Sequence, residues 1–276
     1  MTAAIVIISC LAVLAVAVFA MVKHRQQGGG QEELSSGTAE AMLGIIGTLF
    51  SVLLGLLVAG AIDRYHDVSH AAEDEANSAG NIYRLAKGLE DTDRKRVRGL
   101  AKEYATYVLN DEWPLMEKHQ MSENAQDRYA KLWDACISVN PINDRENNVH
   151  QSILSEMDSL GDDRRSRAVV CTTGMPLPLW AVIICGSIIT IVFTHVFTQH
   201  MGKFHSMMTA LVAISLGLNI WLLAAYSTPF SGDLTIKPQG FEVVLYHTMA
   251  DNPDQASIYL APHEQRNAYA EQQQAR

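Results

Sequence analysis

Long uncharged runs dominate the pattern of hydrophobic and polar positions along the chain. They cover residues 2–22, 41–62, 176–197 and 207–226, and none contains Asp, Glu, Lys or Arg. A helix of about 20 residues crosses a hydrocarbon layer of about 30 Å, whereas a buried helix of a soluble protein rarely needs that length. The pattern therefore predicts four transmembrane helices. The first run has no basic residue before it, which favours a membrane anchor over a cleaved signal peptide.

The second run passes into a charged segment without any turn signal. Apolar side chains continue at steps of three and four residues, which is the spacing of one helical face. They are Val68, Ala72, Ala76, Ala79, Ile82, Tyr83, Ala86 and Leu89. This spacing predicts that the second membrane helix extends beyond the bilayer as one rod to about Leu89.

The polar middle of the chain also has a helical pattern. We predict a helix over 92–110, with a cap at Thr92 and an interruption at Pro114. A second helix covers 122–139 and starts at Ser122. A third covers 144–172, and the sequence "MPLP" provides the break after it. The fold class is an all-α membrane protein with a helical extramembrane bundle between the second and third membrane helices. The predicted segments are 1–40 (first helix and linker), 41–62, 63–172 (bundle), 173–228 (membrane hairpin) and 229–276 (polar C-terminal tail).

Composition and motifs narrow the function classes. The net charge of -9 argues against a nucleic-acid-binding protein, which usually has a basic face. The four cysteines form no CxxC pair, and no P-loop, HExxH, GxSxG or dinucleotide turn occurs. We therefore expect no cofactor and no enzyme activity. The basic stretch "RRSR" before the third membrane helix suggests contact with anionic lipid headgroups.

A charged cluster follows the second membrane helix. Its members share one helical face, and they are Asp63, His66, Asp67, His70 and Asp74. Three hypotheses fit this cluster: a solvated helix surface, a charged vestibule around an oligomer axis, and, more weakly, a metal site at His66 and His70.

The second membrane helix itself carries a stripe of small residues. The stripe consists of Gly44, Thr48, Ser51, Gly55 and Ala59. Small residues let helix backbones approach closely, so the stripe predicts tight helix packing or, alternatively, the lining of a pore.

Several phrases resemble the bacterial membrane-protein family described as the bestrophin-like domain. They include "GTLFSVLLGLLV", "DRYHDVSHAAEDEAN", "YATYVLNDEWPLM", "DDRRSR" and "SGDL", and the resemblance covers roughly residues 40 to 245. The positions that match the family pattern are Glu75, Tyr83, Arg84, Tyr104, Glu112, Trp113, Arg164, Arg165, Ser231, Gly232 and Asp233. The family is similar by name to bestrophins, which are oligomeric anion channels with four membrane helices and a cytoplasmic helical domain. One departure is that the second membrane helix presents small residues where bestrophin-type pores have large apolar ones.

The resemblance implies a homo-oligomeric channel or pore for ions, with anions as the expected ions, in the bacterial inner membrane. The alternative is a non-conducting scaffold or stress sensor whose helical domain binds an unidentified protein partner. Lys and Arg counts beside the membrane runs favour a cytoplasmic helical domain.

Overall fold

The computed structural model describes residues 36–196, 203–232 and 234–250. Within these ranges the regular structure is helical, as the sequence predicts. The helices are α1 (Ser36–Leu85), α2 (Asp91–Tyr107), α3 (Trp113–Met116), α4 (Glu123–Ile137), α5 (Asp144–Thr172), α6 (Leu177–Val196), α7 (Lys203–Ser227) and α8 (Gln239–Val243). The first predicted membrane helix, residues 2–22, lies outside the described residues.

The long helix α1 confirms the predicted rod. It runs for 50 residues and includes the change from apolar to charged sequence. A 3-10 turn, Ala86–Gly88, follows it and leads to Leu89 in an extended conformation. A Cβ at Gly88 would lie 2.9 Å from a methyl group of Val149, so glycine allows this turn to approach α5 closely.

The described chain divides into two compact units. The membrane unit contains the described residues of 1–64 and 174–227, and the helical unit contains those of 65–173 and 228–276. Two described helices, Gly44–Gly88 and Ala210–Ser227, are long and apolar enough to span a membrane, or three if the bent pair Asp144–Thr172 and Leu177–Val192 counts as one span.

The membrane unit packs around one small apolar cluster. Phe50, Leu54, Val58 and Ala61 of α1 meet Ile183 of α6 and Leu223 of α7. Other large apolar side chains of these helices stay exposed, among them Ile45, Leu49, Leu56, Leu211 and Leu218. Apolar surfaces of this kind suit a hydrocarbon environment, so their exposure agrees with a membrane protein.

The helical unit confirms most of the predicted helices. Ser122 caps α4 by accepting a hydrogen bond from the Ala125 N–H, and Asn143 caps α5 in the same way through Glu146. The predicted cap at Thr92 is wrong, because α2 begins one residue earlier and Thr92 lies within its first turn.

Pro114 does not interrupt the helical structure, although the sequence predicted a break there. A π-helical turn, Val108–Glu112, follows α2 and leads directly into α3, with Pro114 in its first turn. A proline at the start of a helix needs no N–H donor, and a π turn accommodates an extra residue. The break comes later, after Met116, where His119 has a φ of 59°.

The predicted polar C-terminal tail instead begins as part of the helical core. Phe230, Ile236, Phe241, Val244 and Met249 are buried there. A Cβ at Gly240 would lie 3.1 Å from the Ala76 Cβ, so this segment runs close against α1. The sequence pattern missed it because α8 has only five residues.

Candidate functional site

The helical unit contains a cluster of buried charges that we call the buried quartet: Glu75, Glu112, Arg164 and Arg167. Glu75 comes from α1, Glu112 ends the π turn, and both arginines come from α5. Glu75, Glu112 and Arg167 are 0% exposed, and Arg164 is 5% exposed. Charged side chains are almost never buried so completely unless they are paired, so their partners determine what the cluster does.

Two bidentate ion pairs form the frame of the buried quartet. The Arg164 Nη1 and Nη2 atoms donate to the two Glu112 carboxylate oxygens at 2.8 and 2.7 Å. The Arg167 Nε and Nη2 atoms donate to the two Glu75 oxygens at 2.6 and 2.7 Å. The Arg167 Nη2 atom also donates to Glu112 at 2.6 Å, which joins the pairs into one network. Bidentate pairing fixes the planar groups in orientation as well as in distance.

Neutral groups complete the shell around these charges. The Tyr104 hydroxyl donates to Glu75 and accepts from the Arg164 Nη1 atom at 3.2 Å. The Ser122 N–H donates to Glu112 at 3.4 Å, and the Arg167 Nη1 atom points at the Met116 sulfur at 2.8 Å. The buried donors and acceptors therefore have partners on α1, α2, α3, α5, the π turn and the loop before α4.

Attraction between opposite charges offsets the effect of burial on Glu112 and Arg167. For Glu112, burial raises the pKa, but Arg167 and Arg164 outweigh it and hold the pKa below its ordinary value. Burial opposes the charge on Arg167, yet Glu75 and Glu112 keep the pKa of Arg167 well above its ordinary value. Burial, with help from Glu75, raises the pKa of the Tyr104 hydroxyl well above its ordinary value. Glu112, Arg167 and the Tyr104 hydroxyl are therefore not suited to exchange a proton near neutral pH.

The arrangement is suited to holding helices together. Two positive and two negative charges cancel, so the quartet has no net charge. Its bonds tie α5 to α1 and to the π turn, and the Arg167 guanidinium carbon lies 5.5 Å from the centre of the Trp113 ring. We therefore interpret the quartet as an electrostatic connection between helices.

The arginines of the "DDRRSR" stretch lie partly in the core and partly on the surface. Arg165, which the sequence pattern singled out together with Arg164, is exposed and pairs with Asp162 on its own helix at 3.1 Å. Arg167 takes the core position that the sequence analysis missed. The suggested contact of "RRSR" with lipid headgroups is wrong for Arg164 and Arg167, because both are buried in the helical unit.

Helical spacing could have revealed Arg167. Apart from Gly161, the buried positions of α5 recur at alternating steps of four, three, four, three and four residues. They are Ile153, Met157, Leu160, Arg164, Arg167 and Cys171. Arginine at a core position of such a series indicates a buried ion pair, while Arg165 falls outside the series.

The remaining family-pattern positions have structural contacts. Tyr83 is buried under the Arg98 guanidinium, 4.1 Å from its ring centre, and the exposed Arg84 donates to Asn81 at 3.0 Å. The Trp113 Nε1 atom donates to the Ile236 carbonyl at 3.1 Å. In "SGDL", the Ser231 carbonyl accepts from Thr228 at 3.0 Å.

The glycine of that motif sits in a turn. Gly232 has a φ of 96°, a conformation that favours glycine, and Asp233 lies outside the described residues.

The predicted charged cluster lies along α1 on exposed positions. Asp63, His66, Asp67, His70 and Asp74 are all exposed. In the part of the chain that the structure describes, no group of three or more His, Cys, Asp or Glu side chains could hold a metal ion. The vestibule hypothesis for this cluster stays a prediction, and so does the weaker metal hypothesis for His66 and His70.

The predicted small-residue stripe is exposed too. Gly44, Thr48, Ser51, Gly55 and Ala59 all lie on the open side of α1. No described residue would come within 4 Å of a Cβ at Gly44 or Gly55. The buried face of α1 uses Phe50, Leu54 and Val58 instead. The stripe therefore makes no tight packing with the described helices of its own chain.

Comparisons with known proteins give a family and a fold. The family model described as "Bestrophin-like domain" matches residues 9–241. No curated protein matches the chain. A bacterial bestrophin homologue from Klebsiella pneumoniae, solved as a point variant, is similar with a TM-score of 0.63 and 9% identity, over 91% of this chain and 98% of that one.

Two further crystal structures are similar over 91% of this chain and 100% of theirs. A second variant of the Klebsiella pneumoniae homologue has a TM-score of 0.60 at 9% identity. A structure described as a membrane protein variant has a TM-score of 0.58 at 10% identity. At such identities the likeness concerns the fold alone.

Proposed function

The chain belongs to the bestrophin-like domain family, and from that premise we propose that it forms an ion-conducting pore as a homo-oligomer in the bacterial inner membrane. In this proposal α1 faces the axis of the oligomer and anions pass along it. The helical unit lies on the cytoplasmic side, as the Lys and Arg counts beside the membrane runs suggest.

The observation that carries the proposal is the open small-residue stripe of α1. Around the helix, the stripe lies between the buried face, which contains Phe50 and Leu54, and an exposed face of large apolar side chains, which contains Ile45, Leu49 and Leu56. Large apolar side chains are suited to contact with lipid, whereas small side chains leave room for an ion pathway or for a neighbouring helix. A ring of α1 helices could place the stripe around a common axis.

The exposed charges beyond the stripe supply a way to select ions. On the same helix, Asp63, Asp67 and Asp74 would repel anions, whereas protonated His66 and His70 would attract them. Histidine changes its charge within about pH 5 to 8, so the local balance of charge should shift toward positive as the pH falls. Charges that line a water-filled entrance alter the local ion concentration and hence the flux.

The test is chloride flux into liposomes that contain the purified full chain. We expect flux to rise severalfold between pH 8 and pH 5. Replacing both His66 and His70 by Gln should flatten this response, and replacing Asp63 and Asp67 by Asn should raise flux at pH 7. The double variant of Asp158 and Asp162 to Asn, which removes two exposed charges elsewhere in the helical unit, is the matched control.

A protein that passes no ions under any of these conditions would refute the pore. The second candidate function, a scaffold whose helical unit binds a protein partner, would then take its place. One observation supports it: Ile137 and Ile142, at the end of α4 and in the loop after it, are 55% and 75% exposed. Large contiguous apolar patches outside a membrane mark interaction surfaces, and these two side chains would belong to such a patch in the scaffold.

A further inference from the structure

We propose that the membrane unit binds an anionic phospholipid in a cleft beside Arg64, which we call the Arg64 cleft. Its lining includes Leu56, Gly60 and Arg64 of α1, Leu179 of α6, and Tyr226 and Ser227 at the end of α7. Lipid binding at this site does not depend on ion conduction, so an experiment can refute the site without refuting the proposed pore.

The position of the cleft matches the boundary between hydrocarbon and headgroups. On α1, the uncharged run ends at Ile62, and Asp63 and Arg64 follow it. Helix α7 ends at Ser227, and α6 begins at Leu177 just after the break at Pro176. The uncharged run of α1, the end of α7 and the start of α6 therefore all contribute to the same cleft. Tyrosine and arginine are enriched where such helices meet the membrane surface.

The order of side chains along the cleft fits an amphipathic ligand. On α1, Leu56 lies eight residues before Arg64, and the lining also includes the apolar Leu179 and the hydroxyl-bearing Tyr226 and Ser227. A guanidinium has five N–H donors in a fixed fork, which suits a phosphate group. Asp63 is the neighbouring carboxylate on α1, but it points to a different side of the helix and does not line the cleft.

The size of the cleft favours part of a lipid over a whole small molecule. Its volume is about 200 Å³. Pockets that enclose drug-sized ligands range from about 300 to 1,000 Å³. A cleft this small and open on one side suits the upper segment of an acyl chain, with the headgroup phosphate at Arg64 and the rest of the chain in the bilayer.

Gly60 leaves the apolar part of the cleft open. No described residue would come within 4 Å of a Cβ at this position. A larger side chain at position 60 would therefore enter the cleft without displacing a described neighbour. Gly217 is a matched control, because it is also a helical glycine with open space around it, but it does not line the cleft.

The experiment is native mass spectrometry of the full chain in detergent with phosphatidylglycerol or phosphatidylcholine added. We expect phosphatidylglycerol to be retained preferentially. Arg64→Gln should lower its affinity about tenfold, because hydrogen bonds to a charged group are lost. Gly60→Leu should lower retention of both lipids, while Gly217→Leu and Arg145→Gln should leave retention unchanged.

Four results would overturn the proposal. They are equal retention of the two lipids, retention by Gly60→Leu at the level of the unchanged chain, displacement of the lipid by millimolar inorganic phosphate, and loss of the oligomer in Gly60→Leu with lipid binding intact. The third result would indicate a site for free phosphate, and the fourth would indicate that a second copy of the chain covers the cleft. Because Arg64→Gln removes charge without filling space, it tests the site even if Gly60→Leu fails to fold.

Discussion

Arg167 shows how strongly the burial and the pairing of a side chain depend on its position within a helical turn. Arg165 and Arg167 are two residues apart on α5, yet Arg165 has a 75% exposed side chain and Arg167 is fully buried. The exposed pair of Arg165 with Asp162 contributes little, since water screens it and two long side chains must be ordered. The buried pairs of Arg167 bind groups that no solvent can satisfy.

Removing the charge of Arg167 should therefore cost far more than removing that of Arg165. We expect Arg167→Met to lower the free energy of unfolding by about 3–5 kcal/mol, because Glu75 and Glu112 would lose a buried partner. Arg165→Met should change it by less than about 0.5 kcal/mol. Thermal unfolding of both variants in detergent measures the difference, and similar melting temperatures would contradict this account.

Asp163 should make stability depend on pH with a sign that is unusual for an aspartate. Burial, together with Asp74, Glu75 and Asp162, raises the pKa of Asp163 to about 6. The folded chain then holds this proton more tightly than the unfolded chain. The carboxylate consequently destabilises the fold fully above about pH 6, and this penalty disappears as the pH falls toward about 4.

Asp163→Asn should stabilise the protein at pH 7.5 by up to about 1 kcal/mol, a modest value because the side chain is partly exposed and screened. The gain should shrink as the pH is lowered to 4. Asp158→Asn, an exposed position on the same helix, provides the control. Melting curves at the two pH values decide the matter, and an equal gain at both would rule out the titration of Asp163 as its cause.

The contact between α1 and α6 depends on a glycine. A Cβ built at Gly186 would overlap the ring of Phe50, which is itself buried among the apolar side chains of the membrane unit. Gly186→Ala should destabilise this unit by about 1–3 kcal/mol through overpacking. Adding Phe50→Leu to the same chain should recover part of the loss, because the smaller side chain leaves room. Gly217→Ala is the control, and melting temperatures that are simply additive would show that the two positions do not interact.

The elements of this protein were largely predictable because periodicity is a local property. The rod of α1, the helix start at Ser122 and the break before α6 follow from residues that are neighbours in sequence. The burial of Phe230, Ile236 and Phe241 was not predictable in this way, because this segment depends on contacts with distant residues such as Trp113 and Ala76.

The buried quartet was predictable only in part. The series from Ile153 to Cys171 marks Arg164 and Arg167 as core positions from sequence alone. Their pairing with Glu75 and Glu112 joins residues up to 92 positions apart, and only the three-dimensional structure supplies it. The exposure of the small-residue stripe is likewise a property of the folded chain.

For the whole molecule, the open stripe on α1 predicts contacts between copies of the chain. Gly55→Leu should lower the fraction of oligomer severalfold, because a large side chain would push neighbouring backbones apart. Leu56→Ala, which changes an exposed side chain on the adjacent face, should have a smaller effect. Size-exclusion chromatography with light scattering measures both, and equal losses would argue against contact through the stripe.

The buried quartet also constrains how this sequence can change over generations. A single substitution at Glu75, Glu112, Arg164 or Arg167 leaves one charge without its partner and costs about 3–5 kcal/mol. Folded proteins have only about 5–15 kcal/mol of stability, so such an intermediate would be selected against. Loss of this ion-pair network would require two compensating substitutions at nearly the same time. Descendant sequences should therefore either retain a glutamate and its partner arginine or replace both.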